Sequence, residues 1–144
     1  MMGTLDAASL ALVRQRNVAA LATVKRDGRP QLSNVSYTFD AQRDLVRASV
    51  TDDRAKVRNL RRDPRASLMV TSPDGWSYVV LEGEVTFSEV AAAPGDDAVE
   101  ELVEVYRLIA GEHDDWDDYR RAMVQDHRLV LRLQVARAYG MPAH

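Results

Sequence analysis

A chain of 144 residues, 46% hydrophobic and 28% charged, holds enough apolar material for one globular domain with a real core. Its formal net charge of -3 excludes a general nucleic-acid binder, which needs a basic field over a whole face. It has no cysteine, which removes disulfides, thiolate nucleophiles and the usual zinc clusters.

No apolar run approaches the ~18 residues of a membrane span. The N-terminus lacks a basic patch followed by a compact apolar segment. The expectation is a cytoplasmic protein with neither a membrane nor a nucleic acid as partner.

Residues 5–15 have helix-forming composition, with Leu5, Ala8 and Leu12 on one face. Residues 17–25 read as a strand buried on both faces. Asp27-Gly28 is a hairpin signal, and residues 31–39 are the returning strand. After a turn over 40–44, residues 45–50 form a third strand. It runs into a short helix over 51–63, capped by Thr51 or Asp52 and stopped by Pro64. Residues 65–72 are a fourth strand and 73–75 a turn. Residues 76–88 are a long fifth strand, in which Gly83 predicts a bulge or bend. After a loop, Val99, Leu102, Val103, Tyr106 and Ile109 give residues 97–110 an amphipathic helix ending near Gly111. Residues 112–126 are a second helix, capped by Asp114, with Trp116, Tyr119 and Met123 on its apolar side. Residues 127–135 alternate and close the sheet, and 136–144 are a tail. The pattern predicts a mainly β, six-stranded antiparallel barrel with short peripheral helices, one domain over residues 1–144.

The most informative stretch is the helix over 51–63. Its start offers free backbone donors and the positive end of the dipole. Arg54 and Lys56 add two cations within one turn, a fork and a point charge of the kind that bind phosphate. Lys56 and Asn59 share a side of the helix. Basic residues on a short helix are also what a solvated surface looks like. In an acidic protein, though, a local basic feature suits a small anionic ligand.

Other chemistry is absent. There is no G-x-G-x-x-G turn after a strand, no phosphate loop and no G-x-S-x-G elbow. His113, His127 and His144 show no metal-ligand spacing, and Glu112-His113-Asp114-Asp115 reads as the polar start of a helix. No metal site is expected, and no residue stands out as a catalytic acid. What remains is a cofactor pocket. Gln31, Ser33 and Val35 point to one face of the second strand, Leu32 and Asn34 to the other. Ser49 sits just before the basic helix. Trp76 and Tyr78, two apart, suit stacking on a conjugated ring, or else a place in the core or a dimer interface.

Leu21-Ala22-Thr23-Val24, Asp27 to Val35, Arg54 to Ser67 and Asp74 to Tyr78 together resemble the split β-barrel flavin and deazaflavin family related to pyridoxamine 5′-phosphate oxidase. More closely they are similar to its actinobacterial branch that binds coenzyme F420. The segments 106–113 and 115–120 and the closing Tyr139-Gly140 also fit that branch. The resemblance implies an FMN-binding split-barrel fold and a homodimer with cofactor in the interface groove. It implies hydride transfer from reduced F420 to an electron-poor small-molecule substrate. FMN chemistry or a non-catalytic F420 carrier are the alternatives. It places Gln31, Ser33, Asn34 and Val35 on the ring system, with Ser49 added, and Arg54, Lys56 and Asn59 on the phosphate. It places Trp76 and Tyr78 on the cofactor of the neighbouring subunit, and Arg26 near the coenzyme's acidic tail.

Overall fold

The alternation that marks strands in the sequence becomes a closed sheet in the computed structural model, which describes residues 3–143. Its strands are β1 (Val18–Val24), β2 (Pro30–Asp40), β3 (Leu45–Thr51), β4 (Arg65–Thr71), β5 (Tyr78–Phe87) and β6 (Arg128–Met141). They pair antiparallel in the order β1-β2-β3-β6-β5-β4, and β4 returns to β1. Helix α1 (Ala7–Gln15) precedes the barrel and α2 (Ala55–Arg62) links β3 to β4. The pair α3 (Asp97–Ala110) and α4 (Trp116–Gln125) lies between β5 and β6. This is the six-stranded, mainly β barrel with peripheral helices that the sequence predicts.

Register stacks the inward side chains in rows. Leu21 faces Leu68, which faces Leu81, and none is more than 1% exposed. Each such leucine contributes roughly 1.5–3 kcal/mol by leaving water. Val57 and Leu60 of α2 and Leu12 and Val13 of α1 join this core. A second cluster packs α3 and α4 on the sheet through Val99, Leu102, Tyr119, Met123 and Val130.

Several boundaries and faces differ from the sequence expectation. β1 is buried on one face only; Ala19, Leu21 and Thr23 are inside, while Ala20, Ala22 and Val24 are half-buried. Leu5 and Leu12 pack on the core as expected, but Ala8 is exposed and Val13 takes its place. The N-cap of α2 is Arg54, with no side-chain cap bond. Thr51 is still strand, and the Asp52 carboxylate is engaged by Arg61 at 3.1 Å. Trp76 lies in the β4–β5 turn, because Asp74 Oδ1 accepts from both Ser72 Oγ (2.6 Å) and the Trp76 N–H (3.0 Å) and prolongs that turn. Asp115, not Asp114, caps α4, with its Oδ1 accepting from the Asp118 N–H at 3.1 Å.

The largest difference is β6, which runs to Met141 where a tail was expected. Glu82 pairs with Arg137 and Gly83 with Val135, so Ala136 is an extra residue bulged out of register. That slip breaks the two-residue period and hides the strand's second half. Gly83 is required there, since a Cβ would fall 1.8 Å from the Gln134 carbonyl oxygen. The end of the expected tail, His144, lies outside the described residues.

Candidate cofactor cleft

β2 and β3 are partners over only part of their length. Tyr37–Asp40 pairs with Leu45–Ala48. Earlier residues of β2 pair with β1 alone, and Ser49 to Thr51 pair with β6 alone. The wall is therefore split between Gln31–Ser36 and the end of β3, and a cleft of about 870 Å³ opens there. Its walls are β2, the end of β3, the start of α2, the C-terminal half of α3, α4 and Arg128.

The split leaves backbone groups open. The Tyr37 N–H donates to the Asn17 carbonyl at 2.9 Å, so odd-numbered residues of β2 address β1. By strand alternation the N–H and C=O of Leu32 and Asn34 point the other way, into the split. A flat ring with a polar edge is the kind of ligand such a strip can pair with.

Three cations face the same space. Arg54 sits at the N-cap of α2 and Lys56 in its first turn, where uncapped helix N–H groups favour an anion. Lys56 Nζ donates to Ser33 Oγ at 3.2 Å. Burial, then the neighbouring Arg54 and Arg128 charges, hold the Lys56 ammonium below its usual range. Arg128 reaches the Ser49 carbonyl through Nη1 at only 3.5 Å, and its Nε is buried without a partner. Among the described residues, none of the three forms an ion pair with a carboxylate.

The opposite wall is apolar, from Val105, Tyr106 and Ile109 of α3 and Met123 of α4. Behind it Tyr106, His113, Trp116 and Tyr119 form a ring cluster with centroids 5.0–5.6 Å apart. Tyr119 Oη donates to the Leu102 carbonyl at 3.0 Å, and burial pushes its phenol up to about 12. Among the described residues no Asp, Glu or His lines the cleft. Among the described residues no cluster of three or more His, Asp or Glu could hold a metal, and no helix is long and apolar enough to cross a membrane.

The cleft brings together Gln31, Ser33, Asn34, Val35, Ser49, Arg54 and Lys56. It does not include Asn59. That amide is buried, donating to Thr23 Oγ1 at 3.1 Å and accepting from Arg62 Nη2 at 3.4 Å. Thr23 in turn donates to Gln31 Oε1 at 2.9 Å, so Asn59 acts on the cleft through Gln31. Arg26, in the exposed β1–β2 turn, is not a lining residue either. Trp76, 74% exposed, and Tyr78, at the start of β5, are also outside this chain's own cleft. Sequence reasoning missed Arg128 and the lining role of Tyr106, Ile109, Tyr119 and Met123. The α3 and α4 residues were visible only as packing faces. Arg128 reaches the cleft because β6 pairs it with Thr51, which no local pattern reveals.

Residues 5–141 match the sequence profile of the pyridoxamine 5′-phosphate oxidase family. The chain belongs to that family. This pyridoxamine 5′-phosphate oxidase family member is 29% identical, over 133 residues, to a Mycobacterium tuberculosis (strain CDC 1551 / Oshkosh) protein named F420H(2)-dependent biliverdin reductase; the match covers 92% of this chain and 85% of the relative. Its fold superposes on that of an F420 reductase with a TM-score of 0.71 at 20% identity, over 94% of this chain and 98% of the other. It also superposes on a conserved hypothetical protein of Mycobacterium tuberculosis, with a TM-score of 0.71 at 22% identity, over 96% and 86% of the two chains. At those identities the two superpositions speak for the shared barrel alone.

Proposed function

We propose that this family member is a coenzyme F420-dependent reductase. It acts as one split-barrel domain over residues 1–144, as a homodimer in the cytoplasm, and reduces an electron-poor small molecule. One observation carries the proposal. The cleft in the split sets Arg54 and Lys56, at the start of α2, beside an open strip of β2 backbone. The relative named F420H(2)-dependent biliverdin reductase supports the choice of deazaflavin.

The residues present fit such a coenzyme. Arg54, Lys56 and the free N–H groups of α2 hold the phosphate, where each charge-assisted bond contributes roughly 1.5–3 kcal/mol. Gln31, Ser33, Asn34 and Val35 lie along the ring system, with the Asn34 backbone on its polar edge and Ser49 on the opposite lip. Asn59, whose amide bonds Thr23 and Arg62, acts in this reading on Gln31 through Thr23. The apolar wall of Val105, Ile109 and Met123 excludes water from the reacting face. When bound, the reduced deazaflavin supplies the hydride. Among the described residues no carboxyl or imidazole lines the cleft and the Tyr119 phenol is too weak an acid at neutral pH, which leaves solvent or the Lys56 ammonium to supply the proton.

Homodimerisation is supported by the outer face of the barrel. Register aligns Asn34, Ala20, Met69, Val80 and Tyr139 in one outward row across five strands. Leu32, Met69, Tyr139 and Met141 on that face are exposed. Large apolar side chains left exposed together on one face are a mark of an interaction surface. Asn34 belongs both to this row and to the cleft, so a second copy seated on the face borders the site. Trp76 and Tyr78 then reach the partner's coenzyme.

Fluorescence titration with coenzyme F420 and with FMN tests the proposal, followed by turnover of F420H2 with enones, quinones and tetrapyrroles. F420 binding with turnover is expected. The FMN chemistry of the wider family gains if FMN binds more tightly. Tight F420 binding with no turnover across the panel makes the protein a carrier.

A further inference from the structure

Arg128 forms no ion pair with a carboxylate among the described residues. It opens β6, opposite Thr51. The chain on either side is pinned: the His127 carbonyl accepts from the Asp52 N–H at 3.0 Å and the Arg128 carbonyl from the Ala91 N–H at 2.8 Å. The side chain turns into the cleft, with Nε enclosed and unpartnered and Nη1 at the limit of a bond to the Ser49 carbonyl, 3.5 Å away.

Its neighbours on the same sheet are treated differently. Arg132, further along β6, is forked onto Glu101. Arg47 on β3 meets Glu104 at 3.1 Å and Glu101 at 3.6 Å. Where an arginine fastens α3 to the barrel, the sequence provides a carboxylate. At Arg128 none of the described residues provides one, and Arg54 and Lys56 share the same cleft. A half-buried guanidinium with an orphaned donor beside two like charges is costly unless something else completes it. An anionic oxygen group on a bound molecule would complete it, and the facing wall of Val105, Tyr106, Ile109 and Met123 suits a flat apolar body carrying that group.

We propose that Arg128 binds a phosphate or carboxylate of the molecule lodged between α2 and the α3–α4 wall, and so selects for acids there. This rests on the coenzyme assignment only for which molecule carries the group: the coenzyme itself or an acidic substrate.

The test uses R128Q and R128K. Pyrophosphate is the first probe, added to the coenzyme-free protein while its melting temperature is followed. Wild type is stabilised, R128Q clearly less, and R128K falls between. Without any anion R128Q melts no lower than wild type, because it loses a charge with no counter-charge and only the long 3.5 Å contact to the Ser49 carbonyl; a structural role for Arg128 predicts the reverse. Coenzyme F420 titration then locates the group. An affinity loss of about ten-fold or more in R128Q assigns it to the coenzyme. Coenzyme affinity within about two-fold, with a KM for biliverdin raised about ten-fold and that for biliverdin dimethyl ester unchanged, assigns it to the substrate. A wild-type protein indifferent to pyrophosphate, an R128Q as responsive as wild type, or no change in either coenzyme or acid binding overturns the proposal. If wild type fails to bind coenzyme F420, the reductase assignment falls, while the pyrophosphate response still decides the role of Arg128.

Discussion

Enclosure, then the like charges of Arg54 and Arg128, press on the Lys56 ammonium and hold it below the usual 10.5. The charge of a bound anion offsets both. Lys56→Ala is therefore expected to weaken coenzyme binding by about 1–3 kcal/mol. Its melting temperature stays near that of wild type, since the one bond lost inside the protein is that to Ser33. An isothermal titration with unchanged affinity would remove Lys56 from the site. The sign of the pH dependence follows as well. The free-state value is depressed and an anion raises it. Affinity is thus complete below the free value, declines as pH rises through it, and levels off above the value in the complex. Titrations from about pH 7 to about pH 11 should show this loss in wild type and not in Lys56→Arg, whose guanidinium stays protonated. Arg54 and Lys56 were legible in the sequence because a helix start and its charges are local. Asn59 was placed on the right side of the helix, but periodicity cannot tell an amide aimed at a ligand from one spent on Thr23. Arg128 was illegible because its place depends on a strand pairing far along the chain.

The helices and strands carry their own logic. Alternation announced the strands, and only where a bulge broke it, at Ala136, did the reading of β6 fail. Gly83 was legible as the residue where a long strand bends; the structure adds that Gln134 crosses against it. Gly83→Ala forces backbone apart from backbone and is expected to cost about 3 kcal/mol, read as a lowered urea midpoint at unchanged slope. Helix α3 is fastened differently, through Glu101 to Arg132 and Arg47, whose side chain is only 5% exposed. Burial alone would raise the Glu101 carboxyl, but its bond to Arg132 and the two positive charges outweigh that and hold it below the ordinary range. The stability it contributes is full above its unfolded value and is lost as pH falls through the lower folded one. Glu101→Ala strands Arg47 with the more exposed Glu104 and is expected to cost about 3–5 kcal/mol. Chemical denaturation at neutral pH checks the size. A mutant whose stability changes less with acid than that of wild type checks the sign. Loss of α3 packing also deforms the apolar wall of the cleft, so coenzyme affinity falls with it.

At the scale of the whole molecule, the barrel was legible from strand count and turn chemistry, and the family from blocks spanning almost the full chain. The outer face was not. Leu32, Met69 and Tyr139 are far apart in sequence and meet on one surface only after register is known. Trp76, 74% exposed in the β4–β5 turn, has the same standing: a large ring that the single chain leaves in water. Two copies joined through this face would cover these side chains and close the open side of the cleft at Asn34. Tyr139→Lys sets a charge in the middle of that row. In the isolated chain the residue is exposed, so the barrel should melt as before once dissociation is accounted for. In the dimer the ammonium would be stripped of water with no acid opposite it, a cost of several kcal/mol counted once per subunit. Sedimentation velocity should then show wild type as a dimer and Tyr139→Lys as a monomer at the same concentration. Coenzyme affinity should fall in the same variant, although Tyr139 is no part of this chain's own cleft. A monomeric variant that binds the coenzyme as tightly as wild type would place the whole site within one chain, and would leave Trp76 and Tyr78 with no part in it.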